Sequence, residues 1–252
     1  MVENVEVSIK QRFLEINETL IRAASQVNRN LSDIKLVVVT KGHPFEKIQF
    51  VIEAGAYYLG ENYPEETIKK FDQIDDVHSL GIQLHMIGHL QSRKIPLVVN
   101  RFDYFHALDS IKLAEKLNNQ IVLNRLEPMP VLLQFNVSGE YEKFGWDAVD
   151  ENRWPELCDD YEVLLGLVGI KVNGLMTMPP YINNPGDNRI YFDRLRRLME
   201  FLNCRYSENI LTELSMGTSQ DFESAIFEGA TFLRIGSAIM GQRQSLSEKG
   251  KK

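Results

Sequence analysis

The chain has 252 residues, of which 44% are hydrophobic and 25% are charged, and this composition is typical of a globular protein with a substantial core. The formal net charge of -7 argues against a nucleic-acid-binding protein, because affinity for phosphate backbones depends on clustered Lys and Arg. Two cysteines without CxxC spacing indicate neither a metal site nor a disulfide framework, and no apolar stretch approaches the roughly 20 residues that span a bilayer.

The first segment of the chain, residues 1–30, predicts an amphipathic helix rather than an export signal. It begins with acidic residues where a signal peptide has a basic start and an apolar run, so we expect a cytoplasmic protein. Apolar residues then recur at three- and four-residue intervals, which predicts a helix that packs on the outside or one end of the main body. These residues are Ile9, Phe13, Ile16, Leu20, Ala24 and Val27.

Eight short apolar runs with β-type composition follow, separated by helical patterns. They cover residues 36–40, 56–59, 84–87, 104–108, 131–136, 170–175, 211–214 and 232–235. Buried strands that are each followed by a helix imply a parallel sheet, and eight such units imply a single α/β domain, a (β/α)8 TIM-type barrel over residues 31–243. A doubly wound open sheet is the alternative fold. The polar tail, residues 244–252, is expected to be flexible.

The end of the first predicted strand carries Lys41, directly after Val-Val-Val-Thr. Functional groups of such barrels lie at the carboxyl ends of the strands. A lysine that ends a buried strand tends to lose its charge, and a neutral amine can form a Schiff base with an aldehyde such as that of pyridoxal 5′-phosphate (PLP). The alternative is a lysine whose ammonium group extends to water at the rim.

Two consecutive loops, after the seventh and eighth strands, are rich in Gly and Ser. They contain Ser215 and Gly217 in the first loop and Gly236 and Ser237 in the second. Exposed backbone N–H groups in these loops of a barrel often bind a phosphate group. Since Gly and Ser also form ordinary tight turns, the prediction rests on finding both loops together.

Three further residues are predicted at the same mouth of the barrel, and each has a structural alternative. Asn62 follows a strand-end glycine and either lines the mouth or caps a helix. Met176 either packs on a flat ring or fills a gap in the core. Arg234 either faces the ring nitrogen of PLP, where its charge disfavours protonation, or forms a structural ion pair.

These segments together resemble the PLP homeostasis protein family, which is related to the barrel domain of alanine racemase. The resemblance covers residues 35–243 and is carried by VVVTK around Lys41, LGENYPEE at 59–66, HMIGHLQSRK at 85–94, FNVSGEYEKFG at 135–145, NGLMTM at 173–178, LSMGTSQDFESAI at 214–226 and LRIGSAIMG at 233–241. It implies a PLP-binding barrel of fold type III that is monomeric or weakly associating and that maintains the intracellular vitamin B6 supply and the balance of amino and keto acids.

The resemblance also implies the cofactor site. PLP is expected as a Schiff base on Lys41, with its ring lined by Asn62 and Met176 and its pyridine nitrogen facing Arg234. The phosphate is expected near Ser215, Gly217, Gly236 and Ser237. One departure is His43, which stands where many relatives have a second lysine, and it puts in doubt any transfer step that uses that lysine.

Three functions compete at this level. The first is a PLP-binding protein without catalytic turnover that passes PLP to apo-enzymes. The second is a low-activity PLP-dependent amino-acid racemase with Lys41 as one base, although alanine racemases carry a second domain that we do not expect here. The third is a phosphosugar enzyme that keeps the phosphate loops and uses Lys41 as an aldolase-type base.

Overall fold

The computed structural model describes residues 2–71, 81–141, 143–182, 184–208 and 211–242. Its strands, in chain order, are β1 (Lys35–Val39), β2 (Tyr58–Glu61), β3 (Gln83–Met86), β4 (Tyr104–Leu108), β5 (Met129–Asn136), β6 (Trp146–Asp147), β7 (Ile170–Met176), β8 (Glu213–Thr218) and β9 (Phe232–Ile235). Its α-helices are α1 (Val2–Gln26), α2 (Phe45–Glu53), α3 (Pro64–Phe71), α4 (Ile95–Val98), α5 (Ile111–Leu123), α6 (Leu157–Leu165), α7 (Arg189–Arg205), α8 (Phe222–Phe227) and α9 (Ser237–Met240). Short 3-10 turns lie at Leu31–Asp33, Ser92–Lys94, Glu151–Glu156 and Pro185–Asn188.

Eight of the strands form a closed parallel barrel. The strand order is β4-β3-β2-β1-β9-β8-β7-β5, and an additional pairing between β4 and β5 closes the sheet. Every pairing is parallel, and the two-residue strand β6 attaches to the edge of β5. The predicted (β/α)8 barrel is therefore confirmed, and the open-sheet alternative is wrong because β4 and β5 leave no free edges in the main sheet.

The barrel is stable because its strands are buried on both faces. Val37 and Val38 point to opposite faces of β1, and both are fully buried. Each covering helix contributes an apolar stripe, as in α5, where Leu113, Leu117 and Ile121 are buried at four-residue intervals. Strands of this kind need helices on the outside, and the alternating sequence supplies one after almost every strand.

The predicted amino-terminal helix is confirmed as α1, and its apolar stripe packs on α2, α8 and α9. Two arginines, one in α1 and one just after it, add hydrogen bonds to the end of the barrel. Arg12 of α1 donates to the carbonyl oxygen of Ile239 at 2.7 Å, and Arg29, which follows α1, donates to the carbonyl oxygen of Ala230 at 2.8 Å. The division of the chain at residue 30 stays a prediction, and the predicted flexible tail 244–252 lies outside the described residues.

The strand predicted at 211–214 is observed as β8, which begins two residues later and ends four residues later, and the later end changes the interpretation of the loop that follows. The strand β8 runs to Thr218, so that Ser215 and Gly217 are strand residues and not turn residues. The pairing with β9 changes register between Ser215 and Thr218, and Gly217 adopts a positive φ of 90° there. A bulge at a glycine extends the strand through a segment that sequence alone reads as a turn.

Two classes of site are not found in the part of the chain that the structure describes. No described helix is both long enough and apolar enough to cross a bilayer. The described residues contain no cluster of three or more His, Cys, Asp or Glu side chains with the spacing of a metal site.

Candidate functional site

A cavity of about 580 Å³ opens at the carboxyl ends of β1, β2 and β9. Lys41 follows β1, Asn62 follows β2, and Gly236 follows β9, so that residues far apart in the sequence meet at one mouth. The lining consists of Val39, Lys41, His43, Asn62, Ile87, Met178, Tyr181, Thr218, Ser219, Gln220, Arg234, Gly236, Ser237, Gly241 and Gln242. Its size and its mixture of apolar and convergent polar groups suit a small cofactor.

Lys41 lies in a tight turn between β1 and α2. The N–H of His43 donates to the carbonyl oxygen of Thr40 at 3.1 Å, and Gly42 between them adopts a positive φ of 75°. The turn places the side chains of both Lys41 and His43 on the cavity wall. His43 is 5% exposed, so it belongs to the site and not to the surface.

Asn62 presents a polar atom that the described chain leaves unsatisfied. Its Oδ1 is shielded from water and has no hydrogen-bond partner among the described residues. Gly88 permits this placement, because a Cβ there would lie 2.9 Å from the Cβ of Asn62. Buried polar atoms are rarely left without a partner, so an unpaired amide on a cavity wall indicates a position that a polar ligand group can satisfy.

Arg234 is 3% exposed and is held by two hydrogen bonds at the inner end of the cavity. Its NH1 group donates to the hydroxyl of Ser215 at 2.5 Å, and its NH2 group donates to the carbonyl oxygen of Thr177 at 2.8 Å. Burial lowers the pKa of Arg234 to about 10, and the guanidinium therefore stays charged near neutral pH. The cavity thus has a fixed positive group with defined orientation.

Two buried histidines continue the hydrogen-bonded chain from Ser215 into the barrel. The Ser215 hydroxyl lies 2.9 Å from Nδ1 of His106, whose Nε2 lies 2.8 Å from Nδ1 of His85. Burial lowers the pKa of His85 to about 3 and also lowers the pKa of His106, so both rings are neutral near neutral pH. His85 belongs to the core of the barrel, since its side chain is fully buried.

Hydrogen-bond donors for an anion converge on the hydroxyl of Ser219. The N–H groups of Gly236 and Ala238 point to Ser219 Oγ, at 3.2 and 3.3 Å. The Ser219 oxygen accepts from both backbone N–H groups, and because a hydroxyl can accept and donate at once, its own O–H can donate to a ligand oxygen beside it. Ser219, Gly236 and Ser237 all line the cavity, so that an anionic group of a ligand can be bound here.

The structure brings together five of the eight residues predicted for the site, namely Lys41, Asn62, Arg234, Gly236 and Ser237. The other three are buried and lie outside the cavity lining. Ser215 is bonded to Arg234, and Met176 is 1% exposed within β7. A Cβ at Gly217 would lie 2.6 Å from the Cβ of Ala225, so Gly217 permits close packing of α8 on β8.

Sequence reasoning missed several residues of the lining, including His43, Met178, Tyr181, Ser219 and Gln220. Ser219 could have been found, because it is the last small residue before the helix that Asp221 and Phe222 begin. The loop after β7 contributes Tyr181, whose hydroxyl accepts a hydrogen bond from Gln220 at 3.1 Å. One side of the cavity mouth is therefore formed by the loop that contains Tyr181, and the position of this loop cannot be predicted from the pattern of strands.

Four chemical features line the cavity. They are a lysine amine, a set of hydrogen-bond donors for an anion, a buried guanidinium and the amide oxygen of Asn62, which has no partner among the described residues. Together they suit a flat, anionic ligand that carries a carbonyl group able to react with an amine.

The chain is similar to proteins of known family. It is 36% identical over 234 residues, 93% of this chain and 98% of the relative, to a pyridoxal phosphate homeostasis protein of Aquifex aeolicus. Its fold matches the structure of PipY from Synechococcus elongatus with PLP bound, at 30% identity and a TM-score of 0.73, covering 88% of this chain and 99% of that one.

More distant structures share the fold alone. Alanine racemase of Corynebacterium glutamicum aligns with 96% of this chain and 62% of its own, at 15% identity and a TM-score of 0.66. No family model matches the chain.

Proposed function

The chain belongs to the pyridoxal phosphate homeostasis protein family, and from that premise we propose that it binds PLP and takes part in maintaining the vitamin B6 supply. The observation that carries this proposal is the single cavity that Lys41, Asn62, Arg234, Gly236 and Ser237 line together. The PLP-bound structure of the relative PipY supports the same cofactor. No observation favours the racemase or the phosphosugar alternative.

Different residues of the cavity bind different parts of PLP. We propose that the uncharged amine of Lys41 adds to the aldehyde carbon and that one water leaves, which gives the covalent link. Ser219, Gly236 and Ser237 bind the phosphate, and Asn62 satisfies a polar substituent of the ring. Ser215 and Gly217 act indirectly, through Arg234 and through the packing of α8, and Met176 supports the wall from the core.

Arg234 sets the protonation of the ring. A pyridinium nitrogen makes PLP an electron sink for carbanion chemistry. A buried guanidinium that stays charged disfavours a second positive charge beside it, so Arg234 keeps that nitrogen unprotonated. The site therefore holds the cofactor without activating it strongly, which suits storage and release better than turnover.

Covalent trapping tests the assignment of Lys41. Protein incubated with PLP is reduced with borohydride, and the modified lysine is identified by peptide mass spectrometry. We expect the adduct on Lys41 together with a visible absorbance band, and the loss of both in Lys41→Ala. The control is Lys112→Ala, an exposed lysine of α5. Undiminished colour in Lys41→Ala would show that the anchor lies elsewhere.

We further propose that the protein is a cytoplasmic monomer that delivers PLP to apo-enzymes. The relatives, which are named for pyridoxal phosphate homeostasis, support delivery, and transfer can be measured directly. Loaded protein is mixed with an apo-enzyme that depends on PLP, and recovery of that enzyme's activity is compared with recovery from an equal amount of free PLP. Light scattering checks the mass against the 29.0 kDa of one chain. Recovery no faster than from the equal amount of free PLP would contradict delivery.

A further inference from the structure

The turn that carries Lys41 is held on both sides by polar side chains from β2 and α3. The hydroxyl of Thr40, just before Lys41, donates to Oε1 of Glu61 at 2.6 Å, and the carbonyl oxygen of Thr40 accepts from Nζ of Lys70 at 3.1 Å. The N–H of Gly42, just after Lys41, donates to Oε1 of Glu66 at 2.7 Å. Three hydrogen bonds therefore fix the two neighbours of the proposed anchor.

The three charged side chains also bind one another. Nζ of Lys70 lies 2.7 Å from Glu61 and 3.1 Å from Glu66. The side chains of Lys70 and Glu61 are 5% and 0% exposed, whereas that of Glu66 is 36% exposed. Burial raises the pKa of Glu61, and the opposite charge of Lys70 counteracts that effect. Lys70 and Glu61 thus form a buried ion pair, in which the charge of each residue is stabilised by the other.

Stability alone is a weak reason for such a pair. Removing two charges from water costs about as much as their attraction returns, and apolar residues of similar volume stabilise a core as well or better. Oε2 of Glu61 adds to the cost, since it is buried and has no partner among the described residues. What an apolar pair cannot supply is the directed set of hydrogen bonds to Thr40.

We infer that Lys70 and Glu61 are positioning residues, which hold the turn directly at Thr40 and, through the bond of Lys70 to Glu66, at Gly42, so that the amine of Lys41 enters the cavity in one orientation. This inference rests on the proposed function of Lys41. Neither Lys70 nor Glu61 is among the residues that line the cavity, so they act through the backbone on either side of Lys41. Orientation of a reacting group controls its rate strongly, and a displacement of about 1 Å can cost 100-fold.

The test compares two ion pairs that involve opposite ends of β1. In the first variant, Glu61→Gln is combined with Lys70→Met, so that no buried charge is left unpaired. The control combines Lys35→Met with Glu213→Gln, which removes the 2.5 Å pair at the amino end of β1. A third protein, Lys70→Arg, keeps the positive charge and its donors. Thermal unfolding and circular dichroism confirm that each protein is folded.

Two measurements are made on each protein. Hydrogen–deuterium exchange without PLP follows the peptide that contains Gly42, and borohydride trapping follows the rate at which PLP attaches to Lys41. In the first variant we expect exchange about tenfold faster and attachment about tenfold slower. The control pair should leave both rates within about threefold of the wild type, and Lys70→Arg should recover most of the attachment rate.

The outcomes separate this inference from the proposed function. Unchanged exchange and attachment in a folded Glu61→Gln, Lys70→Met protein would overturn it, and so would faster exchange with an unchanged attachment rate. If Lys41 of the wild type forms no adduct, the proposal that PLP is attached to Lys41 is wrong. The exchange rate of the Gly42 peptide then decides alone whether Lys70 and Glu61 hold the turn. If the first variant is unfolded at the assay temperature, the single variant Glu61→Gln replaces it, and the same two rates are compared with those of the control pair.

Discussion

The hydroxyl of Ser215 accepts a 2.5 Å hydrogen bond from NH1 of Arg234, and it lies 2.9 Å from Nδ1 of His106. A single serine side chain therefore links the charged group of the cavity to the neutral histidines of the core. The side chains of Ser215 and His106 are completely buried, so their polar atoms have no water as an alternative partner, whereas Arg234 also lines the cavity.

Ser215→Ala is expected to lower the free energy of unfolding by about 1–3 kcal/mol, because Arg234 and His106 both lose a partner in a buried site. Chemical denaturation without PLP measures the change. Ser32→Ala is the control, since Ser32 is exposed and makes one long contact of 3.4 Å to Asp33, and we expect a change within about 0.5 kcal/mol. Equal stabilities of the two variants would contradict the structural role of Ser215.

Ser219→Ala is expected to weaken PLP binding about tenfold, because the hydroxyl accepts from the N–H groups of Gly236 and Ala238 and can donate its own hydrogen to the proposed phosphate. Titration of PLP, followed by absorbance, gives the dissociation constant. Ser215→Ala serves as the comparison and should retain affinity within about threefold. A larger loss in Ser215→Ala than in Ser219→Ala would instead favour the sequence-based assignment of the phosphate to Ser215.

The buried histidines predict a loss of stability in mild acid. Burial lowers the pKa of folded His85 from 6.5 to about 3, so the unfolded chain binds a proton below about pH 6.5 that the folded chain does not. Unfolding then takes up protons. For this residue, the free energy of unfolding falls by up to about 1.4 kcal/mol for each unit by which the pH is lowered below about 6.5.

Denaturation curves between pH 6.5 and pH 5 measure that slope, a window chosen above the range in which most carboxyl groups titrate. His85→Gln should make the slope shallower by up to about 1.4 kcal/mol per pH unit. His89→Gln is the control, since the side chain of His89 is 40% exposed and bonded to Asp109. An identical slope in His85→Gln and the wild type would show that His85 is protonated in the folded state.

Gly217→Ala is expected to destabilise the protein more than Gly55→Ala, although both glycines have a positive φ. The left-handed backbone costs about 1–2 kcal/mol in each variant. At Gly217 the new Cβ would also lie 2.6 Å from that of Ala225, whereas at Gly55 it would meet nothing within 4 Å. Overpacking adds about 1–3 kcal/mol, which denaturation of the two variants should resolve. Equal losses would mean that α8 shifts freely on β8.

The barrel could be predicted from the sequence because strand burial and helix periodicity are local signals. The placement of Lys41, Asn62, Arg234, Gly236 and Ser237 around one cavity followed from that topology, since parallel strands end at the same rim. These positions depend on which strand a residue follows and tolerate errors of a residue or two in the strand bounds.

The interior details could not be predicted, because they depend on register. The bulge at Gly217 keeps Ser215 inside β8 and moves the loop forward to Ser219, and a one-residue change of register reverses the direction of a side chain. The partnership of Lys70 with Thr40 joins residues on different elements, and single-sequence patterns carry no signal for such contacts.

The first and last parts of the described chain meet behind the cavity. Arg12 of α1 is bonded to the carbonyl oxygen of Ile239, and β1 pairs along its length with β9. During synthesis the ribosome must therefore release nearly the whole chain before β1 can pair with β9 and before α1 can pack on α9. Until then the first two hundred or so residues expose strand edges, and the wall that joins Lys41 to Arg234 does not yet exist. Cofactor capture is on this basis one of the last events of biosynthesis, after barrel closure.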